Sequence, residues 1–233
     1  MMIKEGKGKE TAAFFVSALG MLLLIFAMLL TAFQLAIYGD PEYRFYEKEY
    51  TKYHVTDALN MELKDVMKVT DYMMDYLIGK EEELSIVIKV DGRTQDFFNE
   101  QDRFHMGEVK DLFLGGLKLR NICLLLVFLI MMGLIVLKMD WRRLVPKAFF
   151  RVLILLTVLG VLLGIAFTVD FTRCFTIFHE IFFDNDLWMF NPGEDYMIRM
   201  LPEGFFSDMV VRIGTTFIGM MAALSGALII VRK

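Results

Sequence analysis

Residues 12–37 read AAFFVSALGMLLLIFAMLLTAFQLAI, a run of 26 residues without a charged side chain. A helix rises about 1.5 Å per residue, so this run is long enough to cross the roughly 30 Å hydrocarbon core of a bilayer. Lysines precede it, as in a signal peptide, but the apolar run is longer than an ordinary signal-peptide core and no small-residue cleavage site ends it. We therefore expect a transmembrane helix here.

Three more runs lack Asp, Glu, Lys and Arg: residues 121–137, 152–169 and 213–231, with 17, 18 and 19 residues. The composition agrees, because 56% of the residues are hydrophobic and the mean hydropathy is +0.50. The sequence predicts an α-helical membrane protein, a single membrane domain over residues 1–233. Its four transmembrane helices are expected at about 12–37, 118–138, 149–172 and 210–231.

Charge predicts the orientation of these helices. The segment 138–151 contains five cations and one acid, Asp140, and short loops rich in Lys and Arg stay in the cytoplasm. Both termini are then also cytoplasmic. The two longer loops, residues 39–116 and 170–208, face outward and are expected to form a small, mostly helical extracellular cap.

Several functions are disfavoured by composition. Residues 39–116 contain 18 Asp or Glu against 10 Lys or Arg, so we expect no nucleic-acid partner. The four apolar runs contain no ionisable acid or base, which argues against an ion-coupled transporter or a proton pump. No GxSxG, phosphate-binding loop or dinucleotide fingerprint occurs, and no cofactor is predicted.

The first outer loop has the pattern of a folded structure. Residues 56–57 are predicted to cap a helix that Gly79 ends. Residues 84–92 indicate a strand and a turn, either as a lone strand or as a hairpin. A second helix is expected from about Asn99 until Gly115-Gly116 breaks it before the second span.

The second outer loop is crowded with aromatic side chains. Such density is typical of the belt at a membrane interface, and a belt does not exclude a binding site. Both interpretations stay open from composition alone. The aromatic residues are Phe171, Phe175, Phe178, Phe182, Phe183, Trp188, Phe190, Tyr196, Phe205 and Phe206.

Two of the three histidines, His105 and His179, lie where the cap is expected to meet the outer bilayer face. Imidazole suits proton transfer near neutral pH, so the pair is a candidate base and acid for an ester; local hydrogen bonding in a packed cap is the alternative. Asp102 and Glu108 lie three residues to either side of His105, where either carboxylate could orient the ring. His54 is expected to have only a local role.

A metal site and a thiol nucleophile are both disfavoured. His179-Glu180 begins like HExxH, but the fifth position is Phe183, so we predict no metal. Cys174 precedes His179 by five residues, which places the two roughly 140° apart on a helix. With Cys123 in the second span, the cysteines also indicate no disulfide framework.

The two histidine segments, DRFHMGEVK at residues 102–110 and FHEIFFDNDLW at 178–188, resemble the lipoprotein intramolecular transacylases of Gram-positive bacteria. The resemblance spans nearly the whole chain. It includes Lys52-Tyr53, Asn191-Pro192, Leu201-Pro202 and Phe205-Phe206. The family often has an Arg-Glu pair ahead of the first histidine, where this chain has Gln101-Asp102, so an acid is retained at position 102.

The resemblance implies an enzyme of the bacterial cell membrane with its active site at the outer face. It would move an acyl chain from the sn-2 ester of a diacylated lipoprotein to the α-amine of the N-terminal cysteine, giving a lyso-form lipoprotein. By the same resemblance, His105 and His179 would be catalytic. The chemistry of ester attack also needs an oxyanion donor, which Asn185 or Trp188 could provide. The supporting or substrate-lining positions are Asp102, Glu108, Tyr53, Phe182, Phe183, Asn185, Asp186 and Trp188.

Three other functions use the same features. A membrane lipid hydrolase or an intermolecular acyltransferase would need the same histidines, and would differ in whether the acyl chain reaches water or another molecule. A non-catalytic accessory subunit would use the cap to bind a partner, and its histidines would be dispensable.

Overall fold

The computed structural model describes residues 2–232, with side chains from residue 8 onward. The chain forms two compact units. The first, here called the membrane unit, contains Leu117–Val169, the chain up to Leu35 and the chain from Ile213 onward. The second, the histidine unit, contains Ala36–Gly116 and Asp170–Arg212.

Four helices are long and apolar enough to cross a bilayer: α1 (Met2–Tyr38), α5 (Glu100–Val136), α6 (Trp141–Val169) and α9 (Glu203–Arg232). The four predicted membrane-spanning helices are confirmed. Helix α5 has 37 residues, about 55 Å at the α-helical rise, so it is longer than a bilayer core needs. Its apolar part is residues 121–136, and the turns around His105 precede it.

The core of the membrane unit joins all four helices through interlocking side chains. Gly20 of α1 allows a close approach, because a Cβ there would lie 3.2 Å from Ile130 of α5. The outward face of α6 is apolar and exposed, with Leu155 at 71% and Leu162 at 60%, as expected for contact with lipid. The buried cluster consists of Ala13, Met21, Ile25, Leu134, Leu144, Val145, Ala148, Phe149 and Met221.

The predicted helix break at Gly115-Gly116 is wrong. Both glycines are helical within α5, which runs without interruption from Glu100 to Val136. A glycine costs a helix about 1 kcal/mol relative to alanine, which is too little to end a helix whose flanking turns are stabilised by packing and by lipid. The histidine segment of α5 therefore continues directly into a membrane span.

The histidine unit also contains α2 (Arg44–Lys52), α3 (Val55–Leu59), α4 (Leu63–Leu77), α7 (Phe171–Phe182) and α8 (Tyr196–Met200). Residues 56–57 lie inside α3 and do not cap α4, contrary to the prediction, because Asn60 adopts a left-handed φ of 48° and interrupts the helix. Gly79, with φ 78°, ends the α4 region as predicted, and the Lys80 amide donates to the Asp75 carbonyl at 2.9 Å.

The strand segment forms a hairpin rather than a lone strand. Strand β1 (Val87–Val90) pairs antiparallel with β2 (Arg93–Asp96). Asp91 and Gly92 between them have φ values of 48° and 76°, the left-handed pair that a tight two-residue turn requires.

The core of the histidine unit is built on α4. Val66, Val69 and Met73 are buried along one face of this helix, at the spacing of an amphipathic helix. Tyr50 of α2 is fully buried, and its hydroxyl lies 2.7 Å from the Thr70 hydroxyl, which satisfies both polar groups. Tyr76 of α4 also contacts α5, where the Lys110 ammonium lies 4.0 Å from the Tyr76 ring centroid.

Candidate active site

The structure brings the two predicted histidines together. His105 lies on the second turn of α5 and His179 on the last turn of α7, and their ring centroids are 5.9 Å apart with the planes inclined by 31°. Both residues are buried, at 5% and 7% exposure. The two imidazoles therefore belong to one buried cluster.

Helix α7 sets the orientation of His179. Its N-terminus is capped by Asp170, whose side chain accepts a hydrogen bond from the Arg173 amide at 2.9 Å. Near its other end, Nδ1 of His179 lies 2.7 Å from the carbonyl oxygen of Phe175, one turn earlier. A carbonyl can only accept, so Nδ1 carries the proton, and Nε2 of the neutral ring has a free lone pair. His179 is thereby prepared to accept a proton at Nε2.

Aromatic side chains enclose both imidazoles. Trp188 stacks on His179 with centroids 4.7 Å apart, and Phe175 lies 4.2 Å from the same ring. Phe183 contacts both histidines, at 4.9 Å from His105 and 5.5 Å from His179. This enclosure removes water from the rings and disfavours their charged forms.

The enclosure lowers the proton affinity of both histidines. Burial, with a smaller contribution from His179, lowers the pKa of His105 to about 4. Burial also lowers the pKa of His179, while its hydrogen bond to the Phe175 carbonyl opposes the shift. Both rings are therefore neutral near pH 7, which leaves His179 able to act as a base.

Glu108 is the acid that faces His105. Its Oε2 is 3.9 Å from Nδ1 of His105, too far for a hydrogen bond, and both atoms are buried without another partner in the described residues. The other carboxylate oxygen, Oε1, accepts from the Asn185 side-chain amide at 2.8 Å. The Leu187 amide in turn donates to Asn185 Oδ1 at 3.0 Å, so the loop after α7 holds Glu108 in place.

The sequence of the chain matches a known family over most of its length. The profile described as "Lipoprotein intramolecular transacylase Lit" matches residues 18–206. The chain belongs to the Lit family. Its enzyme class is therefore acyltransferase, and its process is lipoprotein processing at a membrane. No curated protein matches it in sequence.

Solved structures of a Lit protein share the fold. The membrane-integral lipoprotein intramolecular transacylase Lit from Bacillus cereus is 18% identical, with a TM-score of 0.73 over 96% of this chain and 97% of the other. A variant of that protein with a histidine replaced by alanine gives 17% identity and 0.69 over 98% and 97%. A variant with arginine in place of the histidine gives 17% and 0.68 over 97% and 95%.

Asp102 has a different contact in this Lit chain from the one that its spacing suggested. Its Oδ2 accepts from the Asn99 amide at 2.9 Å, and its own amide donates to Asn99 Oδ1 at 2.9 Å. The two residues thus cap the start of α5 reciprocally. Burial raises the pKa of Asp102 to about 6. Asp102 fixes the helix that carries His105 and does not orient the ring itself.

Gln101 is a structural residue that sequence reasoning did not identify. Its Nε2 donates to the Leu187 carbonyl at 2.9 Å and lies 3.3 Å from the Met189 carbonyl, which ties the loop after α7 to α5. In the sequence, Gln101 is marked only by its difference from the Arg-Glu pair that the family often has at this place. Such a difference does not reveal a contact with a distant loop.

Tyr53, Phe182 and Asp186, the remaining predicted site residues, contact groups other than the two imidazoles. The Tyr53 hydroxyl donates to Asp208 at 2.7 Å. The Tyr53 ring packs against Gly204, where an added Cβ would lie only 2.4 Å from the ring atoms. Phe182 is 50% exposed and packs on Phe178. Asp186 is exposed, and its carbonyl accepts from the Met189 amide. Their roles toward substrate stay predictions.

Proposed function

We propose that this chain transfers the sn-2 acyl chain of a diacylated bacterial lipoprotein to the α-amine of its own N-terminal cysteine. The observation that carries the proposal is the pair of buried histidines, 5.9 Å apart, one of which has its tautomer fixed by a carbonyl. Family membership supports the acyl-transfer class. The substrate supplies both the nucleophile, which is its α-amine, and the ester, so the enzyme needs neither a serine nor a cysteine nucleophile.

Holding the reacting ends together is the first task of the site. Amine nitrogen, two cysteine carbons, sulfur, two glycerol carbons, ester oxygen and carbonyl carbon form a ring of about eight atoms, whose closure is entropically unfavourable unless the ends are constrained. The aromatic enclosure of Phe175, Phe183 and Trp188 is suited to confine the glycerol and the acyl chains.

His179 is assigned as the base. Its Nε2 takes a proton from the amine as nitrogen attacks the ester carbonyl, and the Phe175 carbonyl stabilises the imidazolium through Nδ1–H. The tetrahedral intermediate then loses the glycerol oxygen. The products are an amide, a free hydroxyl and, when the substrate starts as an ammonium, one proton released to water.

His105 is assigned as the acid. It takes the first proton of the substrate ammonium and delivers it to the departing glycerol oxygen. An imidazolium is unfavourable in so apolar a setting, but Glu108 Oε2 is only 3.9 Å away, and a carboxylate at that distance favours the protonated ring over the neutral one. One N–H of the Asn185 side-chain amide donates to Glu108, which leaves the second N–H of that amide for an oxyanion.

The test is a crossover experiment with lipopeptides. A dipalmitoyl lipopeptide and its analogue with a deuterated sn-2 palmitoyl chain are mixed with detergent-solubilised enzyme, and products are fragmented by tandem mass spectrometry. We expect each product to have the mass of its own substrate and an N-acyl fragment with its own label. Exchanged labels would identify an intermolecular acyltransferase, loss of palmitate a hydrolase, and unchanged substrate an accessory subunit.

The outer-face location of the site is part of the proposal. It is supported by the cation-rich segment 138–151, which is typical of a cytoplasmic loop. In a chain without its two native cysteines, Gln95→Cys should react with an impermeant maleimide in intact cells, and Arg142→Cys should react only after lysis. The reverse pattern would invert the orientation and leave the chemistry of the site untouched.

A further inference from the structure

A second candidate site lies in the membrane unit, between α1 and α6. The two helices border a cavity of about 370 Å³. Its apolar wall is formed by Phe14, Phe15 and Leu144, and its charged groups are Lys147, Arg151 and Glu10. These residues belong to elements other than those that carry the two histidines of the acyl-transfer site.

The cavity lies where the charged residues of both helices are followed by the charge-free runs. Thr11, which borders it, immediately precedes the charge-free run 12–37 of α1, and Arg151 immediately precedes the charge-free run 152–169 of α6. In a bilayer this level is the boundary between headgroups and hydrocarbon. A ligand in the cavity would meet both environments at once.

Two cations in the cavity have no acidic partner among the described residues. Lys147 and Arg151 are one helical turn apart, and their charged groups lie 5.7 and 4.9 Å from the Phe14 ring centroid, within cation–π range. Glu10 is approached instead by Arg143, at 3.8 Å. Within residues 8–232, neither Lys147 nor Arg151 forms an ion pair.

We propose that this cavity binds an anionic phospholipid. The phosphate would lie between Lys147 and Arg151, and an acyl chain would follow the apolar wall at Phe15, which is 66% exposed. Basic pockets between membrane helices bind anionic headgroups. Free phosphate would use the cations but not the apolar wall, so the lipid matches more of the cavity.

The experiment measures lipid binding by the purified chain in a neutral detergent. Phosphatidylglycerol, phosphatidylcholine or inorganic phosphate is added, and retained lipid is quantified by native mass spectrometry beside a thermal melt. The test variant is Lys147→Gln/Arg151→Gln. The matched control, Lys138→Asn/Arg142→Gln, removes two cations of the same segment that do not border the cavity, and asparagine tolerates the φ of 53° at position 138.

We expect phosphatidylglycerol to bind and to raise the Tm of the wild type and the control by several degrees more than phosphatidylcholine does. The test variant should bind phosphatidylglycerol about tenfold or more weakly. Equal binding by test and control variants would overturn the proposal, as would a phosphate-induced shift equal to the lipid shift. If the double variant does not melt cooperatively, Arg151→Gln alone is compared with Arg142→Gln on the same readouts.

Discussion

The two histidines are oriented by different kinds of contact. On α7, the ring of His179 is held by a carbonyl of its own helix, 2.7 Å away and one turn earlier. On α5, Nδ1 of His105 has no such bond, and its nearest acid, Glu108 at 3.9 Å, is positioned by Asn185 from the loop after α7. One histidine is oriented locally and the other through a tertiary contact.

This difference has a functional consequence. A residue oriented by its own helix keeps its tautomer as long as the helix persists, whereas a charge partner held by a loop is lost when the loop moves. Perturbing the loop should therefore affect His105 while sparing His179.

Removing either imidazole should have the largest effect. His105→Ala and His179→Ala should each lower the initial rate of N-acyl product formation about 10² to 10⁴-fold, because each removes one proton-transfer group. Since both act on one tetrahedral intermediate, the double variant should be scarcely slower than either single variant.

The matched control for these variants is His54→Ala, whose side chain is 81% exposed beside Asp57. It should keep the wild-type rate. A thermal melt on each variant separates loss of chemistry from loss of folding. A folded His105→Ala or His179→Ala enzyme with near wild-type turnover would refute the two-histidine mechanism.

Glu108→Gln should have an intermediate effect, lowering kcat about tenfold with little change in KM. The carboxylate stabilises His105 only while the ring carries a proton, and losing about 1.4 kcal/mol of that stabilisation corresponds to a factor of ten in rate. Asn185→Ala should have a smaller effect and add little to Glu108→Gln, because it acts through Glu108. Glu180→Gln, which changes an exposed carboxylate beside His179, is the control; an equal loss there would indicate a general charge effect.

The pH dependence of the rate should report the base. The pKa of His179 is lowered by burial, so the ring is fully neutral above the ordinary histidine pKa of 6.5 and loses its base form only as the pH falls through the lowered value. We expect the acidic limb of the rate profile to have its midpoint below 6.5. Trp188→Ala should move that limb to higher pH, because it readmits water to the ring. A midpoint above 6.5 in the wild type would contradict the assignment.

Removing both thiols should have the smallest effect. Cys174 is five residues before His179 on an unbroken α7, so the two side chains point to different sides of that helix. Cys123→Ala/Cys174→Ala should therefore keep near wild-type turnover, and no thioester should accumulate on the wild-type enzyme. A trapped thioester seen by intact-protein mass spectrometry would favour a cysteine mechanism.

Some features of the fold and of the site were predictable because they depend only on residues that are close together in the sequence. The helical turn around His105, the end of α4 at Gly79 and the turn at Asp91-Gly92 follow from side-chain spacing and from backbone conformations that few residues adopt. The role of Asp102 was not predictable. At three residues from His105 it has the same spacing as Glu108, and only its bond to Asn99 shows that it caps the helix.

The four membrane-spanning helices could be predicted from the sequence, because charge-free apolar runs of this length are stable in the hydrocarbon core of a bilayer and not in water. The sequence also indicated the family and the two histidines. The tertiary structure alone decided that His105 and His179 face each other at 5.9 Å, that Asn185 holds Glu108, and that Gln101 ties down the loop. These contacts join residues some 75 to 90 positions apart, and periodicity, capping and charge patterns describe only near neighbours along the chain.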